Sequence, residues 1–157
     1  MLQTLTRPEP LWFIDTLAHV HISGEETDGR YTVVENLAAA GNMPPLHAHG
    51  REDEVFHVLD GSLKLFLPGA QVDLTAGQTF RVPEGAPHTY RVESETARWL
   101  VVCQPAGFDS FVRDVSRPAA DEALPPRDLH HDLGAIAAAA ERHGITLLGP
   151  PGALPDD

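Results

Sequence analysis

The chain has a single cysteine, Cys103, among 157 residues. One thiol cannot build an internal disulfide framework, which excludes the small cross-linked scaffolds. It stands in the apolar run WLVVC, residues 99–103, and reads as a buried structural thiol. Positive charge is also scarce: 11 Lys and Arg against 23 Asp and Glu give a formal charge of −12. That balance argues against nucleic acid and against an anionic membrane surface as partners. No apolar stretch approaches the roughly 20 residues a membrane-crossing helix needs. The opening MLQTLTRPEP lacks the basic-then-apolar pattern of a secretory leader. Internal repeats are absent. A chain of this length with 42% apolar residues is expected to form one globular domain with a full core, in the cytoplasm.

What is present, up to about residue 105, is a series of short apolar runs rich in β-branched and aromatic residues. They are WFIDTLAHVHI (12–22), YTVVENL (31–37), DEVFHVL (53–59), SLKLFL (62–67), QTFRVP (78–83), HTYRVE (88–93) and RWLVVCQ (98–104). Gly, Pro, Asp or Asn separates most of them, a spacing that predicts an all-β sandwich or barrel. Asp60-Gly61 sits between two alternating runs and predicts a type I′ hairpin with Val58 opposite Leu63 and Phe56 opposite Leu65. Glu54, Phe56, Val58, Leu63, Leu65 and Leu67 then share the inward face. Val55, His57, Lys64 and Phe66 form an outward row of mixed polarity, a candidate dimer face.

The last third changes character. FDSFVRDVS (108–116) predicts a short helix, and PAADEALPP (118–126) a linker. Asp128 is placed to cap a second helix through LHHDLGAIAAAAERH, with Leu129, Leu133, Ile136, Ala137 and Ala140 as its apolar stripe and Gly144 as its stop. The division expected is a barrel over residues 1–106, a helical extension over 107–145 and a loose tail over 146–157.

The chemistry gathers around residue 50. His47 and His49 are two apart, so on an extended strand both imidazoles point to one side. Glu54 stands at an odd offset from them. It joins them if Gly50, Arg51 and Glu52 turn the chain and Glu54 opens the next inward-facing strand. His88 opens a later strand after PEGAP. Three imidazoles and a carboxylate suit one divalent transition metal ion, with nickel, iron, cobalt, manganese, copper and zinc all compatible. Glu52 and Asp53 read as solvated turn residues, with Arg51 a possible ion-pair partner. His57 lies three beyond Glu54 and points away. His19 and His21 repeat the His-x-His pattern, but no later Glu and His complete a second set.

Gly41-x5-His47-x-His49-x4-Glu54-x6-Gly61 and Gly77-x5-Pro83-x-Gly85-x2-His88 resemble the two motifs of the cupin superfamily at nine positions. The second motif usually ends in an asparagine four residues after its histidine; Val92 stands there, which puts the local turn geometry in question. The resemblance covers residues 30 to 105, and the GFDSF segment and helical tail also look like small quercetinase-like cupins. It implies a jelly-roll β-barrel, with His47, His49, Glu54 and His88 as metal ligands inside one mouth. It further implies a mononuclear dioxygenase acting with O2 on an aromatic or enolic small molecule, in a homodimer. Glu54 is then both ligand and candidate general base, and Phe56, Val58, Leu63, Leu65 and Tyr90 wall the substrate pocket. A metal-dependent cupin that only binds a metabolite, a sugar isomerase or epimerase, and other three-His-one-Glu cupins are the alternatives.

Overall fold

The computed structural model describes residues 6–157. Its elements in chain order are β1 (Leu11–Phe13), β2 (Thr16–Ile22), β3 (Thr32–Ala39), β4 (Pro45–His49), β5 (Asp53–Asp60), β6 (Ser62–Leu67), β7 (Ala70–Thr75), β8 (Thr79–Val82), β9 (Thr89–Val92), β10 (Thr96–Gln104), α1 (Phe108–Val115), β11 (Arg117–Pro118), α2 (Leu133–Arg142) and β12 (Ile145–Pro151). The alternating runs became strands with every second side chain buried, most regularly in β3, β5 and β10. The run 12–22 is broken at Ile14, whose φ is +53°, so it forms β1 and β2 paired antiparallel.

One layer is a seven-stranded sheet in the order β11-β1-β2-β3-β10-β5-β8. The other is made of two small sheets, β12-β4 and β7-β6-β9. They are joined by an antiparallel bridge between His47 and His88, whose backbones exchange hydrogen bonds of 3.1 and 2.8 Å. Two histidines from distant motifs therefore stitch the second layer together. Between the layers lie Val34, Phe56, Val58, Leu63, Leu65, Val92, Trp99, Val101 and Cys103, all buried. Each large apolar side chain there contributes roughly 1.5–3 kcal/mol by leaving water. Val92, in the asparagine slot, is 2% exposed, and its backbone bonds to Asn42 and Gly41 end β9 in regular fashion.

The expected Asp60-Gly61 hairpin is not formed. β5 pairs with β10 and β8, while β6 pairs with β7 and β9. A type I′ turn needs positive φ at both central residues; Gly61 has φ +75°, but Asp60 does not. Gly61 is instead the corner where the chain leaves one sheet for the other. It lies so close to Thr96 that a Cβ there would stand 2.3 Å from its carbonyl oxygen. The inward face survives this error, because alternation along each strand does not depend on which strand is opposite. Phe56, Val58, Leu63 and Leu65 are all buried, whereas Leu67 is half-buried. Phe66, assigned to the outward row, is only 4% exposed, with the Arg91 guanidinium 5.4 Å over its ring, so it offers no free apolar face.

The C-terminal third departs most from expectation. α1 forms as expected, but α2 starts at Leu133 and is capped by Asp132, not Asp128, with the Asp132 carboxylate accepting from Ala135 N–H at 3.0 Å. Leu129 is therefore outside the helix, and Leu133 and Ala137 of the expected stripe are exposed. The stretch from 146 on, expected to be loose, forms most of β12 and pairs with β4: Ile145 lies opposite His49, and Leu147 opposite His47. The linker is pinned too, since Trp12 Nε1–H donates to the Ala123 carbonyl and His19 Nε2 lies 2.8 Å from a Glu122 oxygen. Among the described residues no helix is long and apolar enough to cross a membrane.

Candidate metal centre

Four ligand-type side chains meet at one end of the barrel. His47 and His49 come from β4, Glu54 from the start of β5, and His88 from the residue before β9. One potential ligand atom from each lies within 4.8 Å of all the others. The turn at 50–52 re-aims the chain so that Glu54 faces the same point as the histidines. Gly85, in its left-handed conformation, lets the loop before His88 fold back and donate its N–H to the His49 carbonyl at 2.8 Å. The two motifs are thus tied by backbone as well as by side chain.

The imidazoles are oriented from behind. His47 Nδ1–H donates to the Pro45 carbonyl at 2.7 Å, and His88 Nδ1–H to the Ala86 carbonyl at 2.9 Å. His49 Nδ1–H donates instead to the Glu52 carboxylate at 2.8 Å. All three Nδ1 atoms are therefore engaged outward and all three Nε2 atoms are left for the centre, the arrangement that fixes tautomer and ring orientation in metal-binding histidines. Glu52 is 5% exposed, so the reading of it as a solvated turn residue is wrong. Gly107, just before α1, lies against its second oxygen. Asp53 does sit at the surface, but its partner is Arg81 at 2.9 Å, not Arg51.

Glu54 is a buried carboxylate with no Lys or Arg beside it. Its Oε2 lies 2.7 Å from His88 Nε2 and 3.2 Å from His49 Nε2. Burial alone would raise its pKa; the histidines His49 and His88 outweigh that and hold it well below the usual carboxylate range. Burial works against a charged His49 as well, but the charge of Glu54 and the hydrogen bond that His49 donates to Glu52 raise it to about 10. His47 goes the other way, lowered to about 3 by burial and then by the neighbouring His88. Held low in this way, Glu54 is an anion that calls for a positive partner at the centre. Inward Nε2 donors, outward Nδ1 anchors and a buried anion fit a divalent transition metal, and the cluster is able to bind one.

Above the cluster is an apolar cavity of about 110 Å³. Its barrel side is Phe13, Ile14, Asn36, Tyr90, Trp99 and Val101; its outer side is Phe108 and Phe111 of α1, Ile136 and Ala140 of α2, and Ile145 and Leu147 of β12. Of the five residues expected to wall it, only Tyr90 does. Phe56, Val58, Leu63 and Leu65 belong to the packed interior. Burial, then the charge of Glu54, pushes the Tyr90 hydroxyl up, so it remains a donor. Burial likewise pushes the Cys103 thiol up, leaving it unreactive. Sequence reasoning missed the whole outer wall, because its residues lie in segments written as extension and tail.

The remaining histidines have other partners. His57 Nδ1 and Thr79 Oγ1 are 2.7 Å apart, away from the centre. His19 is buried between Glu122 and Glu35, and His21 bonds Glu35 at 3.1 Å; the pair joins no metal-type cluster among the described residues. His131 meets Asp15, and His143 meets Asp114.

This fold and this donor set resemble those of cupin domains. Residues 33–103 match the cupin domain family, and the chain carries that domain. It is 28% identical over 120 residues to quercetin 2,3-dioxygenase of Bacillus subtilis, an alignment covering 75% of this chain and 36% of the relative, so the chain spans about a third of that protein's length. Among solved structures, KdgF from a Halomonas species superposes with a TM-score of 0.55 at 18% identity, over 61% of this chain and 84% of that one. The DMSP lyase DddQ from Ruegeria pomeroyi gives 0.51 at 22% identity, over 57% of this chain and 47% of that one. These structural likenesses carry the fold alone, since one fold hosts many chemistries.

Proposed function

We propose that this cupin is a mononuclear metal-dependent dioxygenase acting on a small aromatic or enolic compound with O2. The observation that carries the reading is the juxtaposition of a three-His-one-Glu cluster with an apolar, aromatic-walled cavity. The similarity to quercetin 2,3-dioxygenase supports it. A bound divalent ion would supply a positive charge that lowers the pKa of a substrate hydroxyl. The rest falls to the chain. His47, His49 and His88 hold the ion through Nε2 in fixed orientations. Glu54, whose Oε2 lies 2.7 Å from His88 Nε2 and 3.2 Å from His49 Nε2, is placed to take the hydroxyl proton as general base. The apolar walls orient a flat molecule and exclude water. A sugar isomerase would need polar groups along those walls, where Phe, Val, Ile and Leu stand.

The test is oxygen uptake by metal-loaded protein with catechols, enolic acids and flavonols, beside His49→Ala and His57→Ala. Uptake with one of these classes, lost in His49→Ala and kept in His57→Ala, supports the reading. Full metal loading with no uptake across the panel, but saturable binding of a compound, would replace it with a metal-dependent binding protein.

A further inference from the structure

We infer that the site takes a molecule no larger than one six-membered ring, with at most one negative charge, an oxygen donor at one end and an apolar body. This deepens the reading above and rests on it. Two observations carry it.

The first is size. The cavity holds about 110 Å³. A cavity of roughly 150 Å³ lined by Leu, Ile and Phe is filled by one benzene, so the room here is that of a single ring, not the three rings of a flavonol. The walls do not yield freely. Phe13 packs edge-to-face on Phe108 and Phe111 at 6.1 and 5.8 Å, and Tyr90 on Trp99 at 5.1 Å.

The second is charge. No Lys or Arg lines the cavity. A substrate with one anionic oxygen can place it on a metal ion held by the cluster. A dicarboxylate brings a second charge to walls that offer no counter-charge, and an unpaired buried charge is costly.

The experiment is calorimetry on nickel-loaded protein with catechol, quercetin and oxalate. Nickel uptake is measured first: a chain that takes up no metal fails the functional reading, whatever the cavity holds. On loaded protein, catechol is expected to bind at least tenfold more tightly than quercetin or oxalate. Ile136→Ala, which enlarges the cavity from the half-buried side of α2, is expected to raise quercetin binding at least tenfold with nickel stoichiometry unchanged. Quercetin or oxalate binding more tightly than catechol to the native loaded protein overturns the inference, as does failure to bind any of the three.

Discussion

The motif-bearing barrel, residues 33–103, and the C-terminal third, residues 107–157, contribute to one site in opposite ways. The barrel supplies every candidate ligand, and supplies them from positions set by spacing along the chain. The C-terminal third supplies no ligand. It supplies the outer wall of the cavity: two phenylalanines of α1, Ile136 and Ala140 of α2, and Ile145 and Leu147 of β12. The difference teaches that donor atoms and much of their environment have separate origins in this chain. Ligation is specified by a local code. The apolar outer wall is specified by a segment whose own sequence carries no motif, and which acts through what it covers.

The comparison breaks if the C-terminal third is dispensable. Phe111 is 7% exposed and packs edge-to-face against Phe13. Phe111→Ala is expected to cost about 3–5 kcal/mol, as much as a barrel-core truncation such as Leu63→Ala at about 2–5 kcal/mol. Equilibrium urea unfolding of the two variants checks this. A midpoint for Phe111→Ala close to that of the native chain would mean that this third is only appended.

The ligand half is tested by His88→Ala. Removing an inward Nε2 donor is expected to lower metal affinity by more than the roughly 10–100-fold typical of losing an outer hydrogen-bond partner. His57→Ala, whose side chain bonds Thr79, is expected to leave affinity unchanged. Competition against a chromogenic chelator measures both. Equal losses would show that the histidines act through general stability and not as ligands.

Glu52 lies on the seam between the two regions and sharpens the contrast. Its carboxylate orients His49 from behind, and a Cβ added at Gly107, just before α1, would stand 3.5 Å from its second oxygen. Glu52→Gln is expected to weaken metal binding by about 10–100-fold while moving the unfolding midpoint little. Asp53→Asn, one residue on, breaks a solvent-screened surface pair with Arg81 and is expected to leave metal binding alone. An unchanged metal affinity in Glu52→Gln would reduce that carboxylate to packing.

These two neighbours also show where the sequence stops being legible. His47, His49, Glu54 and His88 were readable because strand alternation and glycine-bearing turns are local properties, and the site needed only those. The buried face of β5 and β6 was readable for the same reason. Which strand pairs with which was not: Asp60-Gly61 looks like a hairpin by local rules, and only Thr96, more than thirty residues on, makes it a corner. Glu52 was misread because nothing near it is apolar; what buries it arrives from residue 107 onward. β12 was misread because its Gly and Pro content predicts a loose end, whereas its pairing is set by the free edge of β4. Asp128 and Asp132 are equally good caps in isolation, and the observed helix starts at the second.

The smallest effect expected lies on the outer face of the seven-stranded sheet, where the linker between the two regions is pinned. Glu35 bonds His21 and is paired with Arg98, beside His19, which in turn holds Glu122 of the linker. Burial tends to raise the Glu35 pKa, but the bonds to His21 and Arg98 outweigh it and leave it lowered. A carboxylate lowered on folding stabilises the native state at pH values above its unfolded pKa of about 4.3, and that contribution is lost as pH falls through the folded value. The group is partly solvated, so the effect is expected to stay within about 1 kcal/mol. Urea midpoints of native protein and Glu35→Gln should therefore differ at pH 7 and converge toward pH 3. A difference that stays constant over that range would mean that Glu35 acts by shape and not by charge, and that the linker is held to the barrel by Trp12 and Glu122 alone.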